Sequence, residues 1–134
     1  GTDREAKIEA LKSTFVQQHH IDSILNNRKE KNIVKYTAIK NHPNLITSNH
    51  IDKILAGNDR LLKDAVLHSK HLQPQHITQI LNDPTAPDYF RRNALEHKTA
   101  VQPQHITQIL NDPNEHPYVK EAAREAQERL NKNQ

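Results

Sequence analysis

Gln73 to Pro84 reads QPQHITQILNDP, and Gln102 to Pro113 reads QPQHITQILNDP again, 29 residues later. Two identical strings at a fixed offset mark an internal duplication, and a period of this size belongs to repeat architectures. Two fainter copies lie upstream. His20-Ile21-Asp22-Ser23-Ile24-Leu25 and His50-Ile51-Asp52-Lys53-Ile54-Leu55 keep the pattern His-Ile-x-x-Ile-Leu. Between His20, His50, His76 and His105 the spacings are 30, 26 and 29 residues.

The phrase has the form of a short amphipathic helix and its start. Pro74 and Pro103 fit the first helical position, where a missing N–H costs nothing, which puts Gln73 and Gln102 at the N-cap. Thr47 is the better cap in the second copy. Leu72 before the cap and Ile77 at the fourth helical residue form a hydrophobic staple. Val16 with Ile21, Ile46 with Ile51, and Val101 with Ile106 repeat it. The helix should stop at Asn82-Asp83-Pro84 and Asn111-Asp112-Pro113, since proline disfavours the α conformation in the residue before it. In the second copy Gly57 takes the role of the stop.

A companion helix lies between phrases. Val34-Lys35-x-x-Ala38-Ile39, Phe90-Arg91-x-x-Ala94-Leu95 and Val119-Lys120-x-x-Ala123 align, with Leu61-Leu62-x-x-Ala65-Val66 as a looser member and Lys7-x-x-Ala10-Leu11 as an opening one. Pro87 and Pro117 mark the starts of two of these helices. Thr2-Asp3-Arg4-Glu5 has the form of a capping box with Thr2 as cap, and Ile8, Leu11 and Phe15 share one side of the helix behind it. Glu121, Arg124, Glu125, Glu128 and Arg129 give the last helix a charged face suited to the end of an array.

No segment alternates apolar and polar residues long enough for a strand. The expected fold is all-α: an α-solenoid of stacked helix pairs forming one domain over 1–134. Its repeats fall at about 17–44, 45–71, 72–100 and 101–131, behind an N-terminal helix at 3–15.

Only 34% of residues are hydrophobic and Trp is absent, which fits thin layers of short helices better than a thick core. Cysteine is absent too, which excludes disulfides, a thiolate metal site and a cysteine nucleophile. No apolar leader and no membrane-length apolar run occurs; a cytoplasmic, monomeric protein without a cofactor is the expectation. The chain begins at Gly1 and lacks Met, as a trimmed chain or a piece of a longer one would. The formal charge of +3 permits an anionic partner without requiring one.

Ile80-Leu81-Asn82-Asp83-Pro84, a short gap, and then Phe90-Arg91-x-x-Ala94-Leu95 resemble the HEAT-like helical repeats, and are similar also to the leucine-rich repeat variant family. The resemblance covers about residues 7 to 126. It implies an α-solenoid acting as a binding scaffold. Asn27 and Gly57 replace the turn Asp in the first two copies, and Leu62 stands at the Arg position of the second. The iron–sulfur cluster of some repeat-variant proteins requires cysteines that this chain lacks.

The residues between the apolar positions of the phrase helices are the candidate surface for a protein partner: Asp22, Ser23, Asp52, Lys53, Thr78, Gln79, Thr107 and Gln108. An alternative is duplex DNA or RNA, held by Arg28, Lys29, Lys31, Lys35, Lys40, Arg91, Arg92, Lys98 and Lys120. Stacking platforms for single strands are missing, because Tyr36, Tyr89, Phe90 and Tyr118 fall on or beside core positions. The recurring basic position has a structural reading as well, its head bonding Asp83, Asp112 or a carbonyl in the turn. The four phrase histidines are expected beside the staple or bonded into the turn of an adjacent repeat. Equivalent positions about 8–10 Å apart cannot share a zinc ion whose ligands lie at about 2.0–2.1 Å. His68 and His71 could pair on a helix face but lack an acidic third ligand. Nothing in the serines, glycines or carboxylates makes a catalytic constellation, and no metal site is expected.

Overall fold

A computed structural model describes residues 2–133, with the side chain of Thr2 outside the described set. Among the described residues there are nine α-helices, one 3-10 turn and no strand. The protein is all-α. Two compact units divide it at His71 and Leu72, where the third copy of the phrase begins.

The first unit contains α1 (Thr2–Leu11), α2 (Gln18–Asn26), α3 (Asn32–Asn41), a 3-10 turn (Pro43–Leu45), α4 (Ser48–Ala56) and α5 (Arg60–Val66). Phrase helices α2 and α4 touch each other and their companions α3 and α5; α3 in turn touches α1 and α5. The second unit contains α6 (Pro74–Leu81), α7 (Asp88–Leu95), α8 (Pro103–Leu110) and α9 (Pro117–Lys132). There α6 touches α7 and α8, while α9 touches both α7 and α8. In each unit like helices touch like, and phrase helices touch companion helices.

Local sequence sets these helices. Ile21, Ile51, Ile77 and Ile106 are buried, as are Ile46, Leu72 and Val101 before their caps; Val16 is half-buried. Pro74 and Pro103 occupy the first helical position behind caps Gln73 and Gln102. Small Ala38 and Ala94 are fully buried on the companion helices, which lets the phrase helices approach closely. Most of these helices have ten residues or fewer, below the roughly 12–15 at which an isolated helix becomes even marginal. Packing between helices therefore supplies their stability.

Several local expectations give way. Helix α1 ends at Leu11, so Phe15 is 85% exposed beyond it rather than sharing the apolar side. The Thr2 side chain, the expected cap, lies outside what the structure describes. The second companion helix is shifted by one residue from its expected alignment. Asp59 caps α5, so buried Leu62 is its third residue, the place Val34, Phe90 and Val119 hold behind caps Lys31, Pro87 and His116. Leu61 faces outward, and Lys63 fills the basic position thought to hold Leu62. Gly57 caps α4 with φ −85°, outside the left-handed region, so the helix stops there without any use of glycine's freedom. Tyr89 and Tyr118 are exposed, each beside a buried core residue, Phe90 or Val119.

Candidate functional site

The phrase histidine sits third in its helix, where a capping box normally carries Glu or Gln reaching back to the cap amide. Here the imidazole does it. Nδ1 accepts from the cap N–H at 2.9 Å for Gln17–His20, 3.0 Å for Thr47–His50, 2.8 Å for Gln73–His76 and 2.9 Å for Gln102–His105. In the second copy the box is reciprocal, since Thr47 Oγ1 accepts from the His50 amide at 3.2 Å. Capping its own helix is a role that neither expected place for the ring, beside the staple or bonded into the turn of an adjacent repeat, included.

An accepting Nδ1 fixes the neutral tautomer with its proton on Nε2. That proton bridges to the preceding phrase helix: His50 Nε2 lies 2.9 Å from Asp22 Oδ1, and His105 Nε2 lies 2.8 Å from Thr78 Oγ1. Asp22 and Thr78 are the same position of the phrase. Thr78 hydroxyl donates in turn to the Pro74 carbonyl at 3.2 Å, so it accepts from the ring. One residue further on, Lys53 Nζ donates to Asn26 Oδ1 at 2.9 Å and Gln108 Nε2 to Asn82 Oδ1 at 2.7 Å. Burial lowers the pKa of His50 against the pull of Asp22, with Lys53 adding to the lowering. Burial likewise lowers that of His105, against a hydrogen bond to the Pro74 carbonyl that raises it. Both rings are neutral at pH 7, as their capping role requires.

The companion helices carry a second set of cross-links. Lys7 Nζ donates to Glu30 Oε2 at 3.0 Å. Arg91 grips Glu115 with both terminal nitrogens, Nη1 to Oε1 at 2.9 Å and Nη2 to Oε2. Glu30 and Glu115 each stand immediately before the cap of the following companion helix, Lys31 or His116. For Lys7 and Arg91 the glutamate, not Asp83 or Asp112, is thus the partner of the basic position. Asp83 and Asp112 instead brace their own turns, accepting from Thr85 and Asn114 amides at 2.9 Å. Burial alone would raise the pKa of Glu30. Bonds from Lys7 and the Lys31 amide, with the charges of Lys7 and Lys35, outweigh it and hold the carboxyl below its ordinary value.

These links redistribute the two candidate surfaces. Of the phrase-helix residues, Ser23, Asp52, Lys53, Thr78, Gln79, Thr107 and Gln108 are exposed and Asp22 is half-buried. Asp22, Thr78, Lys53 and Gln108 bond to the neighbouring phrase helix, and Thr107 donates to the Pro103 carbonyl of its own helix. Among the basic residues, Arg28, Lys29, Lys31, Lys40 and Lys98 are exposed, while Lys35, Arg91, Arg92 and Lys120 are half-buried. Arg91 is committed to Glu115, Arg92 lies over the Tyr118 ring at 4.4 Å, and Lys40 sits 5.8 Å from the Tyr36 ring.

Three cations from the two groups do converge. Arg28, Lys35 and Lys53 line an open cleft of about 800 Å³ in the first unit, with Asn32, Asn58 and Asp59. The only carboxylate in its lining, Asp59, is already held, Oδ1 by the Leu62 amide at 2.9 Å and Oδ2 by Asn32 Nδ2 at 2.6 Å. Sequence reading missed this site, and missed Glu30 and Glu115 entirely; the recurrence of Glu four residues before Val34 and Val119 was the available signal.

Among the described residues no three His, Cys, Asp or Glu side chains cluster as a metal site would need, and no helix is long and apolar enough to cross a membrane. No family model matches the chain, and no curated protein or solved structure shows significant similarity to it.

Proposed function

We propose that the chain is an α-solenoid of helix pairs acting as a non-enzymatic interaction module whose partner is a protein. One observation carries the reading. Two members of the basic group are committed within the fold, Arg91 to buried Glu115 and Arg92 to the Tyr118 ring, whereas one repeat position of the phrase helices, a row in sequence of Ser23, Lys53, Gln79 and Gln108, is exposed in every copy. Repeated exposed positions on one kind of helix are how repeat proteins present a surface.

Duplex nucleic acid is the reading to be tested against it. Fluorescence anisotropy with a random-sequence duplex, titrated with salt, separates them. A protein-binding module gives weak binding, with a log–log slope no steeper than about −2. Tight low-salt binding with a slope of about −4 or steeper means several phosphates neutralised and overturns the proposal. On the protein side, Gln79→Glu alters the row without touching an internal bond. Gln108→Glu is less clean, because Gln108 donates to Asn82.

A further inference from the structure

We propose that the cleft of the first unit binds an acidic segment of a protein partner, with a carboxylate from that segment against Lys35 as Glu30 lies against Lys7 and Glu115 against Arg91. The inference rests on the protein-partner reading and gives that partner a chemistry.

The internal geometry of the repeat carries it. Lys7 and Arg91 occupy the basic position of a companion helix, and each meets a glutamate placed just before the cap of the next one. Lys35 occupies the same position on α3. The residue before the cap of the next companion helix, α5, is Asn58. The cation is kept and the glutamate before the next cap is gone; Lys35 meets only the charge of Glu30, which Lys7 already bonds. The turn is also the shortest of its kind: Gly57, Asn58 and Asp59 join α4 to α5, whereas six residues, Asn82 to Pro87, join α6 to α7. A short turn with a glycine leaves open the volume that a longer turn and its glutamate would fill.

The surrounding charge agrees. Arg28, Lys35 and Lys53 face the cleft against Asp59 alone, and both oxygens of Asp59 are occupied. Among the described residues Lys53 bonds the neutral Asn26 amide oxygen and no carboxylate. His50, also in the lining, is kept neutral by burial and adds no charge. A carboxylate arriving here forms charge-assisted hydrogen bonds in a partly enclosed site, stronger than the same contact on an open surface. Carboxylate is the group this position already takes inside the fold: two of the equivalent cations, Lys7 and Arg91, are paired with glutamate. A nucleic-acid backbone also needs cations in a row, and Lys29, Lys31 and Lys40 do not line the cleft.

The test uses the full chain and a fluorescein-labelled peptide of alternating Glu and Ser, with its Gln analogue as control, read by anisotropy. Asn58→Glu restores the missing internal carboxylate. It should weaken the Glu peptide by about tenfold or more while the melting temperature holds or rises. Lys35→Gln should weaken it similarly, and Lys98→Gln, in the second unit, should leave it within about twofold. The Gln peptide should not bind. Failure of the Glu peptide to bind, or affinity unchanged by both Asn58→Glu and Lys35→Gln, overturns the cleft and leaves the protein-partner reading standing. Tight, steeply salt-dependent duplex binding that displaces the peptide overturns both together.

Discussion

At the scale of the residue, histidine here does what Glu or Gln does in an ordinary capping box and then something they cannot. A Gln side chain reaches the cap amide but has no second ring nitrogen to reach the preceding helix. His105 therefore combines a cap with a bridge, and the two can be measured apart. His105→Gln keeps the cap and loses the bridge to Thr78, a cost of about 0.5–1.5 kcal/mol. His105→Ala loses both and costs about 1–3 kcal/mol. Combining His105→Gln with Thr78→Val should cost less than the sum of the single changes, because each single change leaves the other partner unpaired. Additive urea-unfolding energies would show that the 2.8 Å contact contributes nothing. The histidine itself was plain in the sequence as a repeat position. Its partners were not, since Asp22 and Thr78 are ordinary polar residues until a helix 27 or so positions away is laid beside them. The glutamates of the companion ladder were hidden for the same reason: nothing local distinguishes Glu115 from the charges of α9.

At the scale of the element, periodicity and caps were enough to locate the phrase helices to within a residue or so. A helix capped by Gln73 and stopping at Asn82-Asp83-Pro84 was expected where α6 runs Pro74–Leu81, between caps Gln73 and Asn82. Failure came where two readings were equally apolar. Leu61 and Leu62 both suit the first core position of a companion helix, and pattern alone chose the wrong one. Asp59 decides it: its carboxylate accepts from the Leu62 amide at 2.9 Å and sets the start of α5, turning Leu62 inward. Side-chain truncation reads that register directly. Leu62→Ala should destabilise by about 2–5 kcal/mol, as for any buried leucine, and Leu61→Ala by less than about 0.5 kcal/mol, as for an exposed position. The reverse order in chemical denaturation would restore the expected register and remove Lys63 from the basic position. Phe15 erred differently. The helix that should have carried it stops at Leu11, where the Lys12 and Ser13 amides turn back to the Glu9 and Ala10 carbonyls at 3.1 Å.

At the scale of the whole molecule, pH joins the residues to the fold. With its histidines neutral the chain carries +3, and protonating all ten would bring it to +13. Two effects therefore act as pH falls: general repulsion, and the specific cost of charging rings that the fold holds neutral. The folded pKa values of His50 and His105 are lowered by burial. Between the folded and unfolded values the unfolded chain binds more protons, so stability rises with pH there. The contribution is complete above the unfolded value of about 6.5 and is lost as pH falls through the folded values. Protonation also places a hydrogen on Nδ1, which then cannot accept from the cap amide, so a structural bond is lost along with the charge penalty. Glu30 follows in a separate, more acidic window: its contribution is complete above the ordinary carboxylate value and is lost as pH falls from there through the lowered folded value. Urea midpoints measured from about pH 7.5 to 5.5 should fall in the wild type, and fall less in a His50→Gln/His105→Gln double variant. Repeating the series at about 1 M salt, where the Debye length is near 3 Å, suppresses general repulsion and leaves the local cost. Equal slopes for the two proteins at high salt would mean that the rings titrate alike in both states and that their burial has no hold on the fold.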